Sequence, residues 1–401
     1  MVQTFPSTVV GRLGDCTARC AREWTIAVNT KAKKSYVMRT LAFRVDASTY
    51  MGIGHVMRCL ALARAVCTDG DSVVFICREH DGNVCDLIEQ HGYSVARLPR
   101  SVPTDGVKDT GTEVDSLGAT WEADAADTIA AIVRLGSAPD WLVVDHYAID
   151  RQWEGAVRAV VRRIMTIDDL GNRVHDCDIL LDQNLHDDSQ RLYEERLLPG
   201  TLRFFGPKYA ILRPEFADPS QIRARDGAID RILVSFGGSD VENQSVTVLR
   251  AIAGLSEAPP QTTIVLGPSN PNRDALRDAA RGYKWVTVLE TTNRMAALMC
   301  AADLGIGTCG IAAWERCAIG LPSLVSVDAA NQREDARILH ARGACRNLGD
   351  ARTVSEQDWT AAIEQLRSRP RAVARMSAAS LAILEGRQQA FSKLVAAIRD
   401  D

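Results

Sequence analysis

The sequence predicts an α/β protein made of two Rossmann-like domains, whose parallel sheets face a central cleft. Apolar strand-like runs alternate with helical patterns, this alternation occurs twice, and glycine-rich turns connect strands to helices in both series. Runs that are apolar on both faces are typical of a parallel sheet covered by helices on both sides. A chain of 401 residues is also long enough for about two domains.

The first series of strands and helices is predicted to form an N-terminal domain over residues 38–216. Helical spacing of apolar residues begins at Val56, and it recurs over Asn83–His91 and Ala123–Leu135. Residues 103–121 are polar and rich in Gly and Asp, which predicts a long loop. The predicted strands are Thr40–Val45, Ser72–Cys77, Ser94–Leu98, Trp141–Asp145, Arg163–Ile167 and Ile179–Asp182.

The second series follows a charged stretch without a strand pattern, so residues 217–228 are predicted to be a linker. Residues 229–401 are then the C-terminal domain, ending in helices. Its predicted strands are Ile232–Phe236, Thr263–Leu266, Val286–Leu289, Leu304–Ile306 and Ser323–Val327. Its predicted helices are Asn243–Ala253, Asp274–Arg281, Asn293–Ala301, Gly310–Ile319 and Gln332–Gly343.

Composition excludes several classes of protein. A net charge of −4 argues against a nucleic-acid binder that relies on phosphate contacts. No apolar run approaches the roughly 20 residues of a membrane span. Eleven cysteines without a CxxC pair indicate reduced thiols, a cytoplasmic location and no metal site. Residues 1–37 are basic and lack an apolar segment, which predicts a disordered extension.

The turn Gly52-Ile53-Gly54-His55, between the first strand and the first helix, is the strongest functional signal. Two glycines allow unusual backbone angles and a close approach of ligand. The helix directs free N–H groups and its positive dipole end at this turn, and His55 supplies a titratable base. The full GxGxxG pattern is absent because no third glycine follows Gly54 at the required spacing.

The second domain has two similar turns. Gly237-Gly238-Ser239 follows a strand and offers backbone N–H groups to a diphosphate. Gly310 opens a helix that carries Glu315, whose carboxylate can accept both hydroxyls of a ribose. Asn331 and Gln332 follow a strand end, where ligands bind in open α/β sheets. Each turn alone is also consistent with a tight strand-to-helix connection.

Together these motifs resemble the PseG family of UDP-2,4-diacetamido-2,4,6-trideoxy-β-L-altropyranose hydrolases. The resemblance covers about residues 41–335 and rests on six segments in the same order. They read FRVDAS…GIGHVMRCLALA, VVDHYAID..W, IDDL.NR.H.CDILLDQN, FGPKYAILRPEF, ILVSFGGSD..N and WERC.IGLPSL….NQ. It implies a GT-B architecture related to MurG-type glycosyltransferases. It also implies cofactor-free, metal-independent and inverting release of UDP within pseudaminic acid biosynthesis.

The resemblance also implies roles for individual residues. His55 matches the general base, and Tyr147 matches the tyrosine near the sugar. Gly237, Gly238, Ser239, Gly310, Glu315, Asn331 and Gln332 are expected at the UDP site. Gly52, Gly54, Asp46, Asp145 and His146 are expected at the substrate, although Asp46 and His146 also fit structural roles. Asp168, Asp169 and His175 are interpreted as support for the domain.

Other interpretations remain open at this point. A GT-B glycosyltransferase would share the fold and the UDP site but pass the sugar to an acceptor. A UDP-sugar 2-epimerase, a nucleotide-sugar-binding module and a hydrolase of a related diacetamido sugar are further alternatives. We expect a monomer whose partner is a UDP-sugar, with no nucleic acid and no membrane span.

Overall fold

The computed structural model describes residues 38–49, 51–100, 115–267, 269–290 and 292–399. The extension predicted over residues 1–37 therefore lies outside the described residues. So does most of the loop predicted over residues 103–121. Within the described ranges, no helix combines the length and the apolar character needed to cross a membrane.

The first sheet has seven parallel strands in the spatial order β3-β2-β1-β4-β5-β6-β7. Its strands are β1 Thr40–Val45, β2 Ser72–Arg78, β3 Ser94–Leu98, β4 Trp141–Asp145, β5 Ile164–Ile167, β6 Ile179–Asp182 and β7 Leu202–Phe205. Strands β1 and β4 are buried on both faces, which explains their continuous apolar sequences.

The second sheet has six parallel strands in the order β10-β9-β8-β11-β12-β13. Its strands are β8 Arg231–Ser235, β9 Gln261–Val265, β10 Val286–Leu289, β11 Leu304–Thr308, β12 Ser323–Val327 and β13 Arg346–Asp350. Numbered from its own first strand, this order is 3-2-1-4-5-6, the same as the first six strands of the other sheet. The two-domain Rossmann-like prediction is thus confirmed.

Helices cover both faces of each sheet. Those of the first half are α1 Gly54–Val66, α2 Cys85–Gln90, α3 Trp121–Val133, α4 Arg151–Val157 and α5 Ser189–Leu192. Those of the second half are α6 Gln244–Ala253, α7 Arg273–Ala280, α8 Met295–Ala301, α9 Ile311–Ala318, α10 Arg333–Ala341, α11 Glu356–Arg367, α12 Pro370–Ile383 and α13 Arg387–Arg399. Two buried apolar clusters belong to each sheet, one on either face.

The last helix, α13, packs on the first sheet although it comes at the end of the chain. Leu394 and Ile398 are buried in the apolar cluster that contains Leu41 of β1. Arg399 donates hydrogen bonds to the carbonyls of Val66 and Ala65 at the end of α1. Residues 229–401, predicted as the C-terminal domain, therefore include one helix that joins the N-terminal core.

Sequence patterns missed two strands, β7 and β13, and the short helices α4 and α5. Strands β7 and β13 are the edges of their sheets, and none of their residues except Phe204 is fully buried. These two edge strands therefore lack the continuous apolar run by which the central strands were recognised.

Candidate functional site

In each sheet the order of strands reverses at one point, between the first and the fourth strand of that sheet. The candidate site lies where these two points face each other. In the first sheet, β1 and β4 pair so that Val45 lies opposite Asp145. In the second, β8 and β11 pair so that Ser235 lies opposite Gly307. Ligands of open α/β sheets bind beyond the strand ends at such a point. A cavity of about 1980 Å³ lies there, with walls from both halves.

Two glycine turns meet across this cavity. Gly52 has a φ of +70°, which a residue with a side chain rarely adopts. A methyl group added at Gly238 would lie 3.9 Å from the Cα of Gly52, and one added at Gly54 would lie 3.2 Å from Ile311 Cδ1. The turn that carries His55 therefore directly faces the two glycine turns of the second half.

His55 occupies the first turn of α1 and lines the cavity while its side chain is only 11% exposed. Its Nδ1 lies 3.6 Å from the Oδ1 of Asp145. Burial lowers the pKa of His55, so the imidazole is neutral at pH 7. The adjacent carboxylate favours the tautomer with its proton on Nδ1, which leaves Nε2 able to accept a proton.

Arg58 lies one helical turn after His55, and its guanidinium binds two carboxylates, those of Asp145 and Asp169. Its guanidinium donates two hydrogen bonds of 2.6 Å to the carboxylate of Asp145. Its third nitrogen donates to Asp169 at 3.0 Å, and Asn184 donates to the same carboxylate at 2.9 Å. Burial would raise the pKa of Asp145, but the charge of Arg58 outweighs it and lowers that pKa. Asp145 is thus an ionised group in fixed geometry.

Tyr147 connects the two halves at the site. Its ring packs edge-on against His55, with centroids 4.5 Å apart. Its hydroxyl donates to Asp169 at 2.9 Å and accepts from Asn331 Nδ2 at 2.8 Å. Burial and the charge of Asp169 raise the pKa of Tyr147, so the phenol keeps its proton. Arg173 fixes the loop by donating to the carbonyl oxygens of residues 146, 147 and 149.

Three of the predicted substrate-binding residues are one layer removed from the cavity. Asp46, Asp145 and His146 are all buried and do not line it. Asp46 contacts Arg44 at 2.7 Å and accepts from the backbone N–H of Arg78 at 2.7 Å, whereas His55 faces Asp145. Asp46, Asp145 and His146 therefore lie behind residues that line the cavity.

The second half presents backbone groups to the cavity. Gly237 has a φ of +78°, so this position requires glycine, and Ser239 follows Gly238 along the cavity wall. The start of α6 is already capped, since Asp240 accepts from the N–H groups of Gln244 and Ser245 at 2.8 and 3.0 Å. The start of α9, at Gly310, has no side-chain cap among the described residues. An anion is therefore expected at the Gly237–Ser239 turn and at α9.

Glu315 of α9 lines the cavity and is bound by Arg213. The guanidinium donates to both carboxylate oxygens, at 2.7 and 2.9 Å. Each carboxylate oxygen has two acceptor positions, so the pair leaves capacity for ribose hydroxyls. Gln332 accepts from the N–H of Cys309 at 3.2 Å, which ties the predicted Asn-Gln pair to the second glycine turn.

The structure brings most of the predicted site residues to one cavity. Those that line it are Gly52, Gly54, His55, Tyr147, Gly237, Gly238, Ser239, Gly310, Glu315, Asn331 and Gln332. Arg58, Asn184 and Arg213 also line it, and the sequence analysis did not propose them. Their partners are about 15 to 111 residues away along the chain, so no local pattern identifies them.

Comparisons with known sequences agree with this arrangement. Residues 232–396 match the glycosyltransferase family 28 C-terminal domain. The chain is 25% identical over 303 residues to an uncharacterized protein of Methanocaldococcus jannaschii, covering 73% of this chain and 57% of that protein. It is 31% identical over 160 residues to the spore coat polysaccharide biosynthesis protein SpsG of Bacillus subtilis, covering 39% and 47%. The chain thus spans about half the length of these two relatives.

A third relative is the UDP-2,4-diacetamido-2,4,6-trideoxy-β-L-altropyranose hydrolase of Campylobacter jejuni. It is 25% identical over 264 residues, which cover 64% of this chain and 80% of that protein. Among solved structures, MurG of Acinetobacter baumannii superposes with a TM-score of 0.60 at 14% identity, covering 91% of this chain and all of that one. The protein therefore has the GT-B fold, and its C-terminal half is similar to the glycosyltransferase family 28 C-terminal domain.

Proposed function

We propose that this protein hydrolyses a UDP-linked diacetamido-trideoxy sugar to UDP and the free sugar, with inversion at the anomeric carbon. UDP-2,4-diacetamido-2,4,6-trideoxy-β-L-altropyranose is the proposed substrate. The observation that carries the proposal is the meeting of the two turns, which sets a neutral imidazole opposite a glycine turn. We propose that the backbone N–H groups of this glycine turn bind the diphosphate. The similarity to the Campylobacter jejuni hydrolase supports this choice of substrate.

His55 is the proposed general base. The oxygen of a water molecule attacks the anomeric carbon, and the bond from that carbon to the diphosphate oxygen breaks. The proton of the water passes to Nε2 of His55, and UDP departs with the bonding electron pair. Asp145 stabilises the imidazolium that forms, and Arg58 keeps the carboxylate in position. General base catalysis of this kind contributes roughly 10²- to 10⁴-fold.

The second half stabilises the leaving group. Negative charge develops on the diphosphate as the glycosidic bond breaks, and preorganised N–H groups at Gly237–Ser239 and at the start of α9 can bind it. Glu315 is proposed to bind the ribose hydroxyls, with Asn331 and Gln332 beside it. Tyr147, fixed between Asp169 and Asn331, is proposed to pack against the sugar beside His55.

A product analysis tests this function. Purified protein is mixed with the UDP-diacetamido sugar and no acceptor, and NMR follows free UDP and the anomeric protons of the released sugar. Prompt release of both, with the inverted anomer first, supports the proposal. Release of UMP and sugar 1-phosphate would instead identify cleavage within the diphosphate and would contradict it.

A UDP-sugar glycosyltransferase is the second candidate, and the size of the cavity favours it. Ligand pockets commonly measure about 300–1000 Å³, whereas this one measures about 1980 Å³. The excess leaves room for an acceptor next to the sugar. Sugar transfer to an added acceptor alcohol, at a rate that exceeds hydrolysis, would establish this alternative.

A further inference from the structure

Two histidine side chains converge on one carboxylate oxygen of Asp46 in the first half, beside the cavity. The Oδ2 of Asp46 lies 3.4 Å from His80 Nε2 and 3.5 Å from His146 Nε2. Each of these three atoms is buried and has no hydrogen-bond partner among the described residues. Of the three side chains only His80 lines the cavity. The described residues contain no cluster of three or more such side chains suited to a metal ion.

The negative charge on Asp46 favours a protonated ring nitrogen facing it in each of its two histidine neighbours. Burial would raise the pKa of Asp46, but the charge of Arg44 lowers it, so the group is ionised. His146 shows the consequence independently. Its Nδ1 accepts from the N–H of Ala148 at 3.1 Å, and burial lowers its pKa to about 4. Neutral His146 therefore carries its proton on Nε2, facing Asp46.

The same carboxylate faces Nε2 of His80. A neutral imidazole with its proton on Nε2 has a hydrogen-bond acceptor at Nδ1. His80 also lines the cavity, unlike Asp46 and His146. Pro99, whose carbonyl accepts from Arg78 at 2.7 Å, lines the same stretch and provides an apolar surface.

The segment that carries His80 is held rigidly against the turn that carries His55. The carbonyl of Asp81 accepts from the N–H of Thr49 at 3.0 Å. The carbonyl of His80 accepts from the side chain of Asn83 at 2.8 Å. Gly82 has a φ of +77°, and a methyl group there would lie 2.9 Å from the Thr49 nitrogen. The backbone at His80 is therefore held next to the turn that leads to the proposed base.

We infer that His80 is a specificity residue whose Nδ1 accepts a hydrogen bond from the amide N–H of an acylamino group on the sugar. This inference rests on the proposed function. Such an acceptor discriminates against a sugar without that N–H, because the acceptor would then stay unpaired. Pro99 would contact the acyl methyl group, and Asp46 and His146 act as positioning residues behind His80.

The test compares His80→Phe with His91→Phe in the non-hydrolysing His55→Asn background. His91 lines the same cavity, but its Nδ1 contacts Arg64 at 3.0 Å instead of facing Asp46. Calorimetry measures Kd for UDP and for the intact UDP-diacetamido sugar with each protein. His80→Phe is expected to leave the UDP affinity within twofold and to weaken the UDP-sugar about 3- to 10-fold. His91→Phe is expected to change neither.

The outcomes separate this inference from the proposed function. The parent protein is expected to prefer the UDP-sugar to UDP. If His80→Phe leaves the ratio of the two Kd values unchanged, the role of His80 alone is overturned. A parent protein that binds UDP but does not bind the UDP-diacetamido sugar would contradict both proposals. His80→Gln keeps an acceptor oxygen and is expected to restore part of the preference. If His80→Phe does not fold, His80→Ala reads the same ratio.

Discussion

In both halves, the turns that face the cavity lie at the point where the strand order reverses. The chemical groups at this point differ between the two halves. In the first half, the loops after β1 and β4 bring together His55, Arg58 and Asp145, all buried. In the second half, the loops after β8 and β11 present Gly237, Gly238 and Gly310, and therefore mostly backbone. The strand topology of this point is the same in both halves, and we propose that the side chains there determine which half handles protons and which binds the anion.

The largest expected effect is on turnover, after replacement of the proposed general base in the first half. His55→Asn keeps a polar side chain but removes the group that titrates. Turnover is expected to fall by about 10²- to 10⁴-fold while the Kd for UDP stays within twofold. Single-turnover release of UDP and calorimetry measure the two quantities. An equal loss of UDP affinity would show that His55 also belongs to the anion site.

Removing the charge behind the base tests how much the first half depends on ion pairs. Arg58→Met leaves the carboxylates of Asp145 and Asp169 without their cation and is expected to cost about 3–5 kcal/mol in the free energy of unfolding. The matched change in the second half is Arg316→Met, since this buried guanidinium donates to the carbonyl of Thr308.

Arg316→Met is expected to cost less, about 1–3 kcal/mol, because a neutral carbonyl and not a carboxylate loses its partner. Urea denaturation of both variants gives the two free energies. Equal losses in the free energy of unfolding would mean that the carboxylate partners of Arg58 stabilise the protein no more than the carbonyl partner of Arg316.

A change in the backbone at Gly237 tests the anion site that we propose in the second half. Gly237→Ala places a side chain at a φ of +78° and is expected to weaken UDP binding about tenfold, because the turn must shift its N–H groups. Gly282→Ala is the matched control, since Gly282 has a φ of +93° and an equally open surrounding but does not line the cavity. Only Gly237→Ala should change the Kd for UDP; a similar change in both would indicate general strain.

Glu315→Ala sharpens the same comparison within the nucleotide site. Loss of the carboxylate is expected to weaken UDP binding about 3- to 10-fold while the affinity for phosphate alone is unchanged. Glu215→Ala is the control, because Glu215 also contacts Arg213, at 3.3 Å. Unaltered UDP affinity in Glu315→Ala would remove this residue from the ribose site.

The smallest expected effect is a shift in pH dependence. The base must be neutral, and burial lowers the pKa of His55, so kcat/KM should persist as pH falls through 6.5 and be lost at a lower pH. Asp145 raises the pKa of His55, so Asp145→Asn should move this acidic limb further down. An acidic limb above pH 6.5 would argue against a buried neutral imidazole.

Sequence patterns predicted the central strands and the glycine turns, because these depend on local requirements. A strand buried on both faces needs a continuous apolar run, and a turn at positive φ needs glycine. The contacts of Arg58 were missed. Its carboxylate partners lie 87 and 111 residues away along the chain. His80 was missed for the same reason, since Asp46 meets it only through the pairing of β1 and β2.

The central claim is that a base from the first half and an anion site from the second act on the same bond. Hydrolysis of the UDP-diacetamido sugar in ¹⁸O-labelled water, sampled at early times by mass spectrometry, tests this most directly. The account predicts unlabelled UDP, labelled sugar and no such products from the His55→Asn variant. Label in the phosphate, or undiminished turnover by that variant, would contradict it.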